Sequence, residues 1–511
     1  METLPHRRRG WAPARARSTR LGWLLCGTLL PAGAWAGGFE SEYPDNGARV
    51  LGRGGAFVAL ADDASAIQYN PAGLARLHGV NLLLSVNLVD INQEFTPAAD
   101  VVLGRSLRSF KTDRQAEGLI AAPMLAVQFD FEALPMLDFA VGIYGPTGTT
   151  RRRFANQWTI DQVTNASGND VTDQVRGKQT QALAPNGILN EAQMLQAYPT
   201  IAVAWAVTPE LRVGVSLQAS FLNATIKKGI GGPAPGVVSL EVADWFTPTG
   251  ILGVQYAPLP WLELGAMYRP SFQNEAEGTG EFRLFNECPN GACPTDGTLA
   301  QQPLGPYGFG GTVPFLAADG SPEDGVEFRF RNPDLVRLGA RLVQPRFDVE
   351  LDYLWQRNSV HKGFDIRFKA ASAELPVGDG ISVSPVPRVL DARYYEDTHG
   401  LRLGSDIQVL PELLTVRVGA SYETGASPEA YTNLDFAGLD QWTASLGATV
   451  HLDWIDIDVG GAWVGFVSRS VTQSKVGIID ITLSEDQWKI VGNGDYSARY
   501  LVGGIGTRMR L

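Results

Sequence analysis

Cysteine and histidine, which carry most metal and nucleophile chemistry, are scarce in this 511-residue chain: three of the first and five of the second. Outside the leader identified below only Cys288 and Cys293 remain, and two thiols without a nearby histidine are too few ligands for a zinc site. The histidines that remain are His78, His361, His399 and His451. Alternation turns His451 inward near a turn, with no nucleophile at a spacing that would pair with it. No phosphate-binding loop or metal-ligand cluster stands out. The chain is therefore read as a non-enzyme with no catalytic residue, metal or cofactor.

Long apolar runs are missing too. Past residue 36 no stretch of about 18 uninterrupted apolar residues occurs, so no membrane-spanning helix is expected. The run Leu21 to Ala32 is too short to cross about 30 Å of hydrocarbon as a helix. Arg7, Arg8, Arg9, Arg15, Arg17 and Arg20 stand before it and Ala34-Trp35-Ala36 after it, the three-part pattern of a cleaved export signal spanning 1–36. Basic charge is also short. Removing the leader takes six arginines and one glutamate, leaving 36 basic against 53 acidic residues and a net charge near −17. Nucleic acid, which requires a basic stripe, is excluded as a partner. An exported chain meets an oxidising compartment, so Cys288 and Cys293, bracketing the turn-prone Pro-Asn-Gly-Ala, are expected to form a local disulfide.

What is present is period-two alternation. Leu211, Val213, Val215, Leu217 and Ala219 alternate with Arg212, Gly214, Ser216, Gln218 and Ser220. The stretches 441–452, 455–459 and 414–422 repeat the pattern, one face apolar and the other small or polar, as strands between lipid and a lumen require. A soluble sandwich also alternates. Connector length separates the two. Short turns fall near 132–136, 208–210, 257–260, 344–346, 410–412 and 452–453. Long polar connections fall near 96–117, 154–194, 229–240, 286–325, 362–393, 425–440 and 473–487. Strict alternation of short and long predicts a transmembrane antiparallel β-barrel of fourteen strands, all-β in class, with both ends on the short-turn side. Trp205, Trp261 and Trp454 sit beside short turns, where an interfacial girdle would lie. The chain ends on Leu511 rather than the aromatic residue usual for barrels.

Residues 37–79 are Gly- and Ala-rich without strand-length alternation. Asp62 and Asp63 can cap one helical turn, and Asn70 another with Pro71 at its first position. This segment is too small to fold alone and is read as a plug inside the barrel.

Here the residues carry a likeness. Gly38-Phe39, Leu51-Gly52-Arg53-Gly54, Ala61-Asp62-Asp63-Ala64-Ser65-Ala66-Ile67 and Tyr69-Asn70-Pro71-Ala72-Gly73 resemble, in order, the N-terminal hatch of FadL-type transporters. Those proteins carry long-chain fatty acids or aromatic hydrocarbons across Gram-negative outer membranes. Asn332-Pro333-Asp334, Leu338-Gly339, Asp352-Tyr353 and Trp355 resemble the family's central strands. The resemblance implies a hatch over 37–78, with Arg53, Asp62, Asp63, Asn70, Pro71 and Ala72 as its motif and Gly38 and Phe39 near the ligand. It implies a monomeric barrel over 79–511, set among outer-membrane lipid and lipopolysaccharide with both ends periplasmic. It also implies a route: hydrophobic ligand settles in a surface groove, moves to an interior site, and leaves sideways through a gap tied to the third strand, here Leu137 to Arg153. Gly142, Gly145, Pro146 and Gly148 weaken pairing there, although a plain bulge would do the same.

Cargo is less defined. A fatty-acid carboxylate in a low-dielectric lumen needs a basic partner. Alternation turns Arg212, Arg337, Arg341, Arg402 and Arg417 inward, and Arg337, Arg341 and Arg402 are the carboxylate-binding candidates. The competing reading pairs them with hatch acids such as Asp62 and Asp63. Strand five reads Phe221-Leu222-Asn223-Ala224-Thr225, with Lys227 and Lys228 only at the rim, which keeps neutral hydrocarbon open. Fatty-acid transport is the first expectation. The alternative is a related barrel acting in protein secretion or surface attachment, with the loops near 154–194 and 286–325 as docking surfaces.

Overall fold

The computed structural model describes residues 45–98, 120–145, 191–230, 236–284, 312–377, 388–434, 438–479 and 490–511, with shorter stretches between them. The leader, Gly38, Phe39, Pro146, Gly148, Cys288 and Cys293 lie outside the described residues.

Among the described residues fourteen long strands close into an antiparallel barrel. They are β1 (Val80–Pro97), β2 (Ile120–Asp130), β3 (Leu137–Tyr144, resuming as Arg151–Arg153), β4 (Glu191–Ala206), β5 (Leu211–Ile230) and β6 (Gly236–Leu259). Four interrupted strands follow: β7 (Leu262–Arg269, Phe272–Leu284), β8 (Gly325–Asn332, Leu335–Val343), β9 (Asp348–Gln356, Gly363–Phe368) and β10 (Val389–Ala392, Thr398–Leu410). Then come β11 (Leu414–Glu423), β12 (Gln441–His451), β13 (Ile455–Phe466) and β14 (Gly494–Arg510). β14 pairs back onto β1 from Asn81↔Arg510 to Pro97↔Gly494, which leaves no free edge between first and last strand. The six short turns fall where the turn residues place them, and both ends of the barrel chain lie at that rim, with Leu511 N–H donating to the Val80 carbonyl.

The alternation has the expected consequence. Leu217, Leu446 and Leu501 face outward with 57, 65 and 60 % of their surface exposed, while Ser216, Gln218, Ser445 and Thr449 are buried within. Trp205, Trp261 and Trp454 are exposed at the short-turn rim, as a girdle requires. β6 has 24 residues, roughly 80 Å at the ordinary strand rise. A tilted span takes about 9–11 residues, so β6 and the β5 strand beside it run far past a bilayer on the long-loop side.

Inside the short-turn half lies the N-terminal segment. Three short helices are described there: α1 (Ala48–Gly52), α2 (Ala66–Tyr69) and a 3-10 turn (Pro71–Arg76). Nearly every residue from Ala56 to Ala75 is buried, including Phe57, Leu60, Ile67 and Tyr69. α1 has no side-chain cap, so it leaves no local sequence signal.

Candidate functional site

Asn70 holds the plug to the wall. It is fully buried, and its amide nitrogen donates to the carbonyls of Val58 (2.9 Å) in the plug and Val254 (3.0 Å) on β6. Its Oδ1 accepts from Ala72 N–H, capping the turn that Pro71 opens. Such close seating needs wall residues without side chains. A Cβ on Gly253 would fall 2.2 Å from Asn70 Oδ1, and one on Gly214 would fall 2.4 Å from the Pro71 carbonyl carbon. Gly265, Gly404, Gly419 and Gly460 meet plug backbone in the same way, at 2.1 to 2.6 Å. Alternation already assigned Gly214 to the inward face. The plug explains why inward positions on so many strands are glycine.

Arg53 is the electrostatic centre. Fully enclosed, it donates to Asp348 (3.0 Å), Glu350 (3.0 Å), Asp406 and the Ala56 carbonyl (2.9 Å). The acids of β9 also receive plug backbone: Glu350 accepts from Ala59 N–H (2.7 Å), and Asp352 accepts from Phe57 (2.8 Å) and Val58 (3.1 Å). Buried acids are tolerated because each meets donors of this kind. Inward acids at Asp348, Glu350 and Asp406 escape sequence reading, because their partner stands some 300 positions away.

The arginine candidates are placed as follows. Arg337 and Arg402 converge on the two carboxylate oxygens of Asp45, at the start of the described plug. Arg337 also lies 5.2 Å over the Tyr69 ring. Arg341 binds wall acids Glu263 (2.7 Å) and Asp348 (2.7 Å). Among the described residues Asp62 and Asp63 form no direct ion pair with these arginines, although the charge of Asp62 acts on Arg341. Both are bound by Arg49 within the plug, and Asp63 alone acts as a turn cap, accepting from Ser65 N–H (2.9 Å). Expecting both aspartates to cap is corrected: at Asp62 the ion pair prevails.

Around the third strand the ladder is broken. Among the described residues β3 pairs with β2 from Asp130↔Asp138 to Met124↔Tyr144 and not at Gly145, although β2 continues to Ile120. Against β4 it pairs as far as Tyr144↔Tyr198 and again from Arg151↔Gln193, with 146–150 outside the described residues. Pro123 on β2 and Pro199 on β4 flank the break, each lacking a ladder donor. Gly142 lies before it in regular ladder, between Ala126 and Thr200; a Cβ there would fall 2.5 Å from Ile67 of the plug. Gly145 is at the break itself, and its carbonyl accepts from the plug's Asn46 at 3.0 Å.

In the outer half an apolar chamber opens, lined by Met194, Ile226, Leu240, Phe328, Phe364 and Phe368 among others. Lys228 lies in its wall, where its place at the strand end beside the long connection near 229–240 had put it at the rim. Among the described residues no group of three or more His, Cys, Asp or Glu side chains could hold a metal ion.

A family model described as outer membrane protein transport protein (OMPP1/FadL/TodX) matches residues 187–487, more than half of the chain. The chain belongs to this family. Solved structures agree in fold. A Pseudomonas aeruginosa FadL homologue superposes with a TM-score of 0.64 at 14 % identity, covering 91 % of this chain and 98 % of that one. The Ralstonia pickettii toluene transporter TbuX and the P. putida toluene transporter TodX each give 0.58, at 14 % identity and the same coverage. At that identity the likeness speaks for the fold alone. No curated protein sequence matches. This FadL/TodX-family barrel is thus an outer-membrane protein of transport type.

Proposed function

We propose that this barrel takes up hydrophobic compounds at its outer chamber and delivers them sideways into the membrane at the β2–β3 break, with the short-turn rim facing the periplasm. The observation that carries the reading is the ending of the β2–β3 ladder at Met124↔Tyr144, beside a lumen filled by the plug. A straight aqueous path would also cost an apolar solute the roughly 0.8 kcal/mol per CH₂ that it gains on leaving water, whereas a wall exit keeps it. Export by a cleaved leader over 1–36 and a plug over 37–78 complete the arrangement.

Long-chain fatty acids, expected from the resemblance, need a cation for their carboxylate. Arg337, Arg341 and Arg402 already hold acids of the plug and wall. Breaking such buried pairs costs several kcal/mol, about 3–5 when one partner is removed. Uncharged cargo such as an aromatic hydrocarbon is what the geometry supports best. The test is uptake of naphthalene by vesicles containing the purified barrel, alongside Pro123→Cys/Gly145→Cys, whose positions would face each other if the ladder continued by one pair. Saturable uptake without steady ionic conductance, lost on oxidation and restored by reductant, is expected. Steady conductance, or uptake indifferent to the staple, overturns the lateral route.

A further inference from the structure

Among the described residues two charged groups line the outer chamber, and they face each other. Lys228 on β5 and Asp391 on β10 form an ion pair of 2.8 Å, side chains 9 and 15 % exposed, in a wall otherwise of Phe, Ile, Val, Leu, Met and Ala. The same carboxylate oxygen of Asp391 also receives Arg393 at 2.8 Å. Arg393 is fully enclosed behind the chamber wall, its guanidinium 5.3 Å over the Phe364 ring. Lys228 is therefore the cation presented to a ligand, and Asp391 covers it.

We propose that the Lys228–Asp391 pair is the specificity determinant of the chamber, a charge filter that admits uncharged aromatic or aliphatic molecules and turns away those bearing a carboxylate. The proposal rests on the chamber being part of the transport route. An uncharged ring meets the phenylalanine walls and leaves the pair intact. A carboxylate entering the same space finds Lys228 already committed to Asp391 and Arg393 enclosed behind the wall. Without a cation of its own it loses its hydration uncompensated. Burial is what gives the pair this effect, since the same two charges at an open surface would be screened and weak. The filter is also reversible by design: removing the charge of Asp391 while keeping its shape uncovers Lys228 as a carboxylate receptor.

Naphthalene and 2-naphthoate, alike except for the ionised carboxylate, are the probes, with equilibrium dialysis against the full barrel in lipid nanodiscs as the measurement. Wild type should bind naphthalene more tightly than 2-naphthoate by on the order of tenfold or more. Asp391→Asn should raise 2-naphthoate affinity by on the order of tenfold while naphthalene changes little. Lys228→Met in addition should abolish that gain. Equal binding of both probes by wild type overturns the filter, and this arm stands even if Asp391→Asn does not fold. An unchanged ratio in a folded Asp391→Asn barrel overturns it as well. If wild type binds neither probe, the filter falls; naphthalene flux persisting in the vesicle assay would then still uphold transport by another route.

Discussion

Asn46 reaches across 3.0 Å to the carbonyl of Gly145, joining the plug to the residue at which β3 leaves its partner strand. The backbone carbonyl of Asn46 accepts from Tyr69 O–H at 2.7 Å, so the contact is tied to the plug interior. A change at the plug and a change at the wall are therefore mechanically linked. Asn46→Ala leaves the buried Gly145 carbonyl without this donor, at a local cost of about 1–3 kcal/mol. Faster naphthalene uptake and faster amide exchange over 45–55 are expected, with the barrel still folded. Unaltered flux alongside faster exchange would show that the contact does not gate the route.

Asn70 makes a sharper case. Asn70→Ala removes the donor to both Val58 and Val254 and the acceptor for Ala72 N–H. Each buried group left unpaired costs about 1–3 kcal/mol, enough to release the plug locally but not to open fourteen paired strands. Gly253→Val should reach the same state from the wall side, because its Cβ has no space beside Asn70 Oδ1. Limited proteolysis of the native barrel should cut the plug in both variants. A plug as resistant as wild type in both would remove the Asn-Pro-Ala motif from its anchoring role.

These two sites also show what a sequence discloses and what it withholds. Strands and short turns were legible because their signals are local: Pro135, Pro209, Pro260 and Asp453 punctuate runs whose period is two. The Asn70 cap was legible for the same reason. The partners of Arg53 were not, since Asp348 and Asp406 lie 295 and 353 positions away and only barrel closure brings them round. Lys228 misled in another way. Judged on its own strand it sits at a rim, but β4 to β10 all contribute to the chamber that encloses it, so its burial is a property of seven strands and not of one.

Asp62 should not be the group through which acid loosens the plug in the range where ordinary carboxylates begin to protonate. Burial by itself would raise the Asp62 carboxyl, but Arg49 and Arg76 outweigh it and hold the group well below the usual range. A depressed carboxylate contributes stability at pH above its unfolded value, about 3.9, and that stability is lost only as pH falls through the lower folded value. Amide exchange over the plug, corrected for its intrinsic pH dependence, should change between pH 7 and pH 4.5 no more in wild type than in Asp62→Asn. Asp62→Asn should raise exchange at both. Release at pH 4.5 in wild type, absent from Asp62→Asn, would mean that Asp62 titrates normally and that Arg49 is not its effective partner.

Arg53 permits a test by repair. It neutralises Asp348, Glu350 and Asp406 together, and Arg53→Met leaves that group short of one positive charge in a space closed to water. Asp348 keeps Arg341 and Asp406 keeps Arg417, but Glu350 loses its one ion pair among the described residues and keeps the Ala59 and Leu60 N–H groups. The expected loss is about 3–5 kcal/mol of plug docking, the usual penalty for breaking a buried pair from one side. Lysine is a poor substitute, because a compact ammonium lacks the fork that meets several carboxylates at once. Glu350→Gln should do better. In Arg53→Met/Glu350→Gln the amide oxygen can still accept from Ala59 and Leu60 while the uncompensated charge is gone, so protease resistance of the plug should return by at least half. If the double variant is no more resistant than Arg53→Met, Arg53 holds the plug through packing and its bond to Ala56, and the acids of β9 are not what it serves.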